Sequence, residues 1–256
     1  MSRRRVEAIL SHEFKLLSRD PLPIMILVVF PLILIAFLKP LFALALRTHG
    51  YAGANGAEQV VPGEAVINGF YIVGMTSFAF FVEYGWNTWD RLRASDATSL
   101  EIIIGKALPF LAVSVSQFLL IFAIGVPLFR LHSRGPLSAL VPLVVMFAIC
   151  LVALGIVVTS LCHTIAQVSA FAFGGLVLFG ALGGALVPLE VLPGWAHAVA
   201  PVTPTYWAMR GFGSVILGGH GWRSVVLPCT VLAGMCLGFA AVSLRRFRFS
   251  DAKVSF

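Results

Sequence analysis

A chain of 256 residues that is 59% apolar and only 11% charged, with a mean hydropathy of +0.96, excludes a water-soluble globule at this length. The net charge of +7 does not point to nucleic acid, because no basic patch carries the interleaved aromatics that a nucleic-acid groove needs. Roughly 20 apolar residues cross about 30 Å of hydrocarbon. The sequence holds six such stretches, so the expected fold class is all-α: a polytopic membrane protein with six transmembrane helices.

Residues 4–18 place Val6, Ile9, Leu10, Phe14 and Leu17 at helical spacing, with Glu7, Ser11, His12, Lys15 and Ser18 on the other face. This predicts an amphipathic interface helix within residues 1–21, lying on the cytoplasmic membrane surface and stopped by Pro21 and Pro23. A first span is expected over 22–46. Its apolar run exceeds the roughly 7–15 residues of a signal-peptide core, so it reads as uncleaved. Pro31 and Pro40 predict a kink or an early end near Lys39, and Lys39 itself is expected to snorkel to the external interface. Glycines and the pair Asn55-Gly56 make 47–65 a short external loop.

The second span, 66–88, carries Phe70, Tyr71, Met75, Phe78 and Phe81, which fit ordinary packing or contact with an apolar solute. Glu83 lies six residues before Trp89, about 9 Å from the cytoplasmic end at helical rise. A carboxylate inside a span is a functional hypothesis by default, here either an inner-leaflet polar contact or part of a solute route. Between spans two and three runs the most charged interior stretch, with Asp90, Arg91, Arg93, Asp96, Glu101 and Lys106. Gly105-Lys106 is not a phosphate-binding loop, since Leu100 stands where that motif needs Gly and Ala107 where it needs Ser or Thr.

Spans three to five are expected at 107–129, 137–161 and 165–187. Gly180 and Gly184, four apart on one face of the fifth, permit close helix contact within a subunit or across a dimer. From 188 to 223 the pattern changes. Pro188, Pro193, Pro201 and Pro204 forbid a continuous span, and Trp195, Tyr206 and Trp207 suit the membrane boundary. Two short helices in an external hairpin are predicted there, with Trp195 at the boundary. A sixth span at 224–244 and a tail to 256 complete the single transmembrane domain.

With six spans both ends share one side of the membrane. That side holds Arg3, Arg4, Arg5, Lys15, Arg19, Arg91, Arg93, Lys106, Arg245, Arg246, Arg248 and Lys253, against Arg47, Arg130, Arg134, Arg210 and Arg223 on the other. Twelve against five places both termini in the cytoplasm. Cys150, Cys162, Cys229 and Cys236 form no CxxC pair and read as free packing thiols, and Cys229 and Cys236 lack the His or carboxylate partners of a metal site. No H-E-x-x-H, G-x-S-x-G or paired intramembrane carboxylates occur, so no catalytic site is expected in this chain.

Pro188-Leu189-Glu190, Leu192-Pro193, Trp195, Pro204-Thr205-Tyr206 and Arg210, together with Ser99-Leu100-Glu101 and Gly105-Lys106, resemble the permease subunits of the ABC-2 type transporter family. Within that family the chain looks most like the daunorubicin/doxorubicin-resistance type. The resemblance covers nearly the whole chain. It implies an exporter half in a bacterial inner membrane, pairing with a second permease as a homo- or heterodimer and docked to a separate ATP-binding subunit that holds the ATP and magnesium. It also implies a coupling role for Asp90, Arg91, Arg93, Asp96, Glu101 and Lys106. A route for an apolar or amphipathic solute along spans two and five would then include Phe70, Tyr71, Met75, Phe78, Phe81 and Glu83. An alternative is an ion-gradient-driven transporter or channel, for which Glu83 is the one relay group visible. The charge asymmetry sets a test of topology: in a cysteine-free variant, single cysteines at Glu58 and His197 should react with an impermeant thiol reagent in intact cells, and one at Ala97 should not. The opposite pattern would overturn the orientation.

Overall fold

The computed structural model describes residues 22–48, 50–51, 53–85, 98–189 and 192–246, together with Glu7, Leu10, Ser11, Lys15 and Arg19. In chain order its helices are α1 (Leu22–Thr48), α2 (Ala57–Gly69), α3 (Tyr71–Gly85), α4 (Ser99–Phe129), α5 (Leu140–Leu161), α6 (Ile165–Leu182), α7 (Gly194–Val199), α8 (Pro204–Ile216) and α9 (Arg223–Arg246). Short 3-10 turns, Leu137–Ala139 and Ala200–Val202, precede α5 and α8. There is no β-strand among the described residues, and six helical stretches are long and apolar enough to cross a membrane. The protein is an all-α, multi-pass membrane protein. Of the amphipathic segment, the five described positions are helical; Leu10 on its apolar face is half-buried, while Glu7, Ser11 and Lys15 on its polar face are exposed. The rest of residues 1–21 lies outside the described residues.

α5 forms the centre. Phe147 is fully buried and meets Phe118 of α4 edge-on, with ring centroids 5.7 Å apart. Lipid tails are as apolar as leucine, so burial alone does not hold helices together here, and close backbone approach matters more. Gly155 of α5 supplies one such approach: a Cβ there would stand 2.9 Å from the Val73 carbonyl oxygen of α3, whose neighbour Ser77 donates to the Gly155 oxygen at 2.8 Å. α1, α6 and α9 lie outside this centre. α1 buries a stripe of Ile35, Phe42 and Leu46 and turns Phe30, Ile33, Phe37, Leu41 and Leu44 outward.

Four boundaries differ from the sequence reading. First, α1 does not stop near Lys39 but continues through Pro40 to Thr48. Lys39 does not simply snorkel: its Nζ donates to the Phe129 carbonyl oxygen at 2.7 Å, placing a cation on the C-terminal dipole of α4. Second, span two begins at Ala57, and residues 57–65 are not loop but part of α2, every residue of which is buried. Its polar side chains hide the span from a hydropathy reading yet find partners within the bundle. Gln59 Nε2 donates to Gly184 O at 2.9 Å, and Asn68 Nδ2 donates to Glu64 Oε2 at 3.1 Å. A single turn residue, Phe70, joins α2 to α3. Third, span three begins at Ser99 rather than 107. Fourth, span five ends at Leu182, because Gly184 adopts φ +83° in the turn beyond it; Gly180 and Gly184 therefore share no helix face.

The burial of Glu58 moves the external labelling position of the topology test to Gly53, which is exposed, and the exposed His163 between α5 and α6 supplies a described position for the opposite side. Gly56 generates a stability prediction. It holds φ +94° at the start of α2, and a Cβ there would fall 2.1 Å from the Lys39 carbonyl oxygen. Gly56→Ala should lower stability by roughly 1–3 kcal/mol from backbone strain alone. Gly213→Ala, whose added Cβ would meet open space, should not. Equal thermal midpoints in detergent for the two variants would refute the strain assigned to Gly56.

Candidate functional site

The C-terminal part of span two is where the sequence concentrates candidate residues, and packing sorts them into two groups. Phe70 and Phe81 are buried, with the Phe70 ring against Phe179 of α6 at a centroid distance of 5.3 Å. These two are core residues in this conformation. Tyr71, Met75 and Phe78 follow one another at helical spacing and remain only half-buried. Tyr71 stands edge-on to Phe173 of α6, with centroids 6.3 Å apart and planes at 90°. α6 buries only Val168 and Gly180, leaving Phe171, Phe173, Val177 and Leu178 exposed. The half-exposed face of α3 thus continues into an open aromatic and aliphatic face of α6.

Glu83 and Lys106 meet, which the sequence reading did not foresee. Lys106 Nζ lies 2.8 Å from Glu83 Oε1, donates to Ala79 O at 3.2 Å, and sits 5.8 Å from the Phe80 ring centroid. The lysine side chain is 1% exposed and the glutamate 14%. The pair ties the C-terminal end of α3 to the beginning of α4, on either side of residues 86–97, which lie outside the described ones. Glu101 is also buried and also engaged. Thr98 N donates to Glu101 Oε2 at 2.9 Å, and Glu101 N donates to Thr98 Oγ1 at 3.4 Å, a reciprocal capping box that starts α4. Of the six residues assigned to coupling, Glu101 and Lys106 are therefore built into the membrane domain, while Asp90, Arg91, Arg93 and Asp96 fall outside the described residues.

The hairpin is two short helices, as expected, but they differ in depth. α7 carries Trp195 at 68% exposure. α8 instead lies buried along one face against α2, α5 and α9. Thr203 caps it by accepting from Tyr206 N at 3.3 Å, with Pro204 in its first turn, where a missing donor costs nothing. Trp207 Nε1 donates to Pro201 O at 2.8 Å, and its ring contacts Tyr206 edge-on and the Arg210 guanidinium at 5.4 Å. Pro188 is buried, Pro193 exposed, and Glu190 lies outside the described residues.

Sequence reasoning missed a polar seam on α2. Glu58 Oε2 accepts from Gly56 N and Asn55 N at 3.0 and 3.1 Å, and Gln117 Nε2 of α4 donates to Ala65 O at 3.4 Å. The available signal was helical spacing of apolar residues, Val60, Val61, Ala65, Val66 and Ile67, running through the assumed loop. All four cysteines are free thiols, and Cys150 of α5 neighbours Cys236 of α9.

A buried ion pair is costly to break but not to replace. Removing one partner, by Glu83→Leu or Lys106→Met, should destabilise by about 3–5 kcal/mol, whereas the double change Glu83→Leu with Lys106→Met should recover most of the loss. Additive losses in thermal unfolding would show that the pair is not a structural joint.

Residues 4–217 match the family described as ABC-2 type transporter. The protein named "Probable multidrug ABC transporter permease YbhR" of Escherichia coli K12 is 31% identical over 144 residues, 55% of this chain and 38% of that protein. The protein of the same name from Escherichia coli O157:H7 matches with the same figures. The matched stretch thus spans well under half the length of these curated relatives. No solved structure matches the chain.

Proposed function

Because the chain belongs to the ABC-2 type transporter family, we propose that this membrane subunit is the permease half of an ATP-driven exporter moving an apolar or amphipathic solute out of the cytoplasm or inner leaflet. The observation that carries the reading is the family match over 4–217, in a chain whose 256 residues contain no phosphate-binding loop. ATP and magnesium are then held by a separate ATP-binding subunit, and the energy enters through a cytoplasmic contact. The name of the Escherichia coli relatives supports a drug-like cargo. Both termini lie in the cytoplasm in this reading, supported by the distribution of arginine and lysine.

The solute path is assigned to Tyr71, Met75 and Phe78 with the facing surface of α6, which the fold leaves uncovered within one subunit. A second permease copy opposite that face would close it into a route. Phe70 and Phe81 support the wall from behind. The segment after α3, with Asp90, Arg91, Arg93 and Asp96, is assigned the contact with the ATP-binding subunit. Glu101 and Lys106 transmit its movement, the first by starting α4 and the second by holding α3. An ion-gradient mechanism needs a buried ionisable relay; Glu83 is engaged with Lys106, Glu64 with Asn68, and Glu58 with the amides of Asn55 and Gly56.

Affinity capture of the full chain from its native membranes should bring down an ATP-binding subunit, and inside-out vesicles carrying both should take up daunorubicin only with ATP. Exposed ion pairs contribute under about 1 kcal/mol each, so single changes in the contact segment should be mild. The combined variant Asp90→Asn, Arg91→Gln, Arg93→Gln and Asp96→Asn should insert normally yet lose its partner or its ATP-driven uptake. Capture that returns no ATP-binding chain, or uptake driven by an ion gradient without ATP, would overturn the exporter reading.

A further inference from the structure

At the end of the bundle away from the Glu83–Lys106 pair, a cavity of about 300 Å³ opens between the start of α2, the turn after α6, and α8. Its polar walls are Tyr51, Gln59, Arg210, Ser214 and His220, and its apolar walls include Leu189, Met209 and Leu217. Arg210 lies 5.4 Å from the Trp207 ring and meets no carboxylate among the described residues. A second guanidinium, Arg134, lies outside the lining but 5.9 Å from the ring of Tyr51, which lines it. His220 Nδ1 is 3.1 Å from Ser214 O.

No described acidic side chain lines the cavity. The two described glutamates of α2 are each 3% exposed and face partners of their own: Glu58 the amides of Asn55 and Gly56, with His132 Nδ1 at 3.9 Å, and Glu64 the amide of Asn68. Among the described lining residues Arg210 is the fixed charge, so their contribution to the potential in the cavity is positive. These arginines also run against the charge rule that orients the rest of the chain, so something other than topology accounts for them. A guanidinium steadied by an aromatic face and open on its fork binds an oxyanion in bidentate fashion, and the apolar walls beside it suit a hydrocarbon stem.

We propose that this cavity binds the phosphate of an anionic amphiphile, with Arg210 as the principal contact and Met209, Leu217 and Leu189 against the stem. The shared chemistry is a phosphate oxyanion, supplied either by a membrane lipid headgroup or by the free ion. The site needs no ATP-binding partner, so its binding is read on the purified chain alone and stands or falls apart from the exporter reading.

The test is calorimetric titration of the full chain in dodecyl maltoside with dihexanoyl phosphatidylglycerol and, separately, with inorganic phosphate. The lipid should bind saturably. Arg210→Gln should weaken binding by about tenfold or more, the loss of one charged hydrogen-bonding partner. Arg210→Lys should retain part of it, and Arg223→Gln, outside the cavity lining, should leave it unchanged. Gly213→Leu offers a variant that alters no charge: a Cβ at Gly213 meets nothing within 4 Å, so the new side chain occupies the cavity and should abolish lipid binding without lowering thermal stability. Inorganic phosphate binding as tightly as the lipid, with the same Arg210 dependence, would keep the site and assign it to the free ion. Absence of binding by either probe, or unchanged affinity in Arg210→Gln or in Gly213→Leu, would overturn the proposal.

Discussion

Hydrocarbon offers no hydrogen bonds, and that constraint organises everything polar in this chain. A donor or acceptor left unmatched in the bundle interior costs several kcal/mol, so polar side chains that survive there are drawn to partners inside the protein. Lys39 closes the end of α4 through Phe129 O, Asn68 is bound to Glu64, Gln117 reaches Ala65 O, and Lys106 neutralises Glu83. Charges that look like ligands or solvent contacts in a linear reading become joints between helices. The Glu83–Lys106 pair is the sharpest case, because it links α3 to α4, the two helices that flank residues 86–97.

The same constraint separates an inner layer from an outer one. Every residue of α2 is buried, and α5 and the buried face of α8 pack beside it, so this layer holds the shape of the subunit. α6 has only two buried residues, and α1 and α9 also turn large apolar side chains outward. Such faces are compatible with lipid and with a second subunit alike, since both are apolar. What distinguishes α6 is its continuity with the half-exposed Tyr71, Met75 and Phe78, which gives the exporter reading a surface on which to place its route. The opposite membrane face has a different character: arginines stacked on aromatic rings around a cavity, with the nearby carboxylates turned inward.

Much was legible from residue order alone. Six apolar stretches meant six membrane helices, the prolines of 188–204 meant a broken hairpin, and the aromatic and proline pattern there carried the family resemblance that the match over 4–217 bears out. These features are local: hydropathy, a missing backbone donor and a motif depend on neighbours along the chain. The main errors concerned polar residues. Glu58, Gln59 and Glu64 lay in a stretch read as a loop from its glycines and Asn55-Gly56, and Glu101 and Lys106 looked like surface charges.

Composition and order therefore determined the class of the protein, the number of its spans and its family, because a bilayer selects helices by length and apolarity, which a sequence states directly. Tertiary structure alone decided that Glu83 pairs with Lys106 across 23 positions, that α8 folds back among α2, α5 and α9, and that Arg210 shares a cavity with Tyr51 and Gln59. Whether a polar side chain faces solvent, a ligand or another helix depends on residues far away in sequence. Only the packed bundle brings those residues within hydrogen-bonding distance.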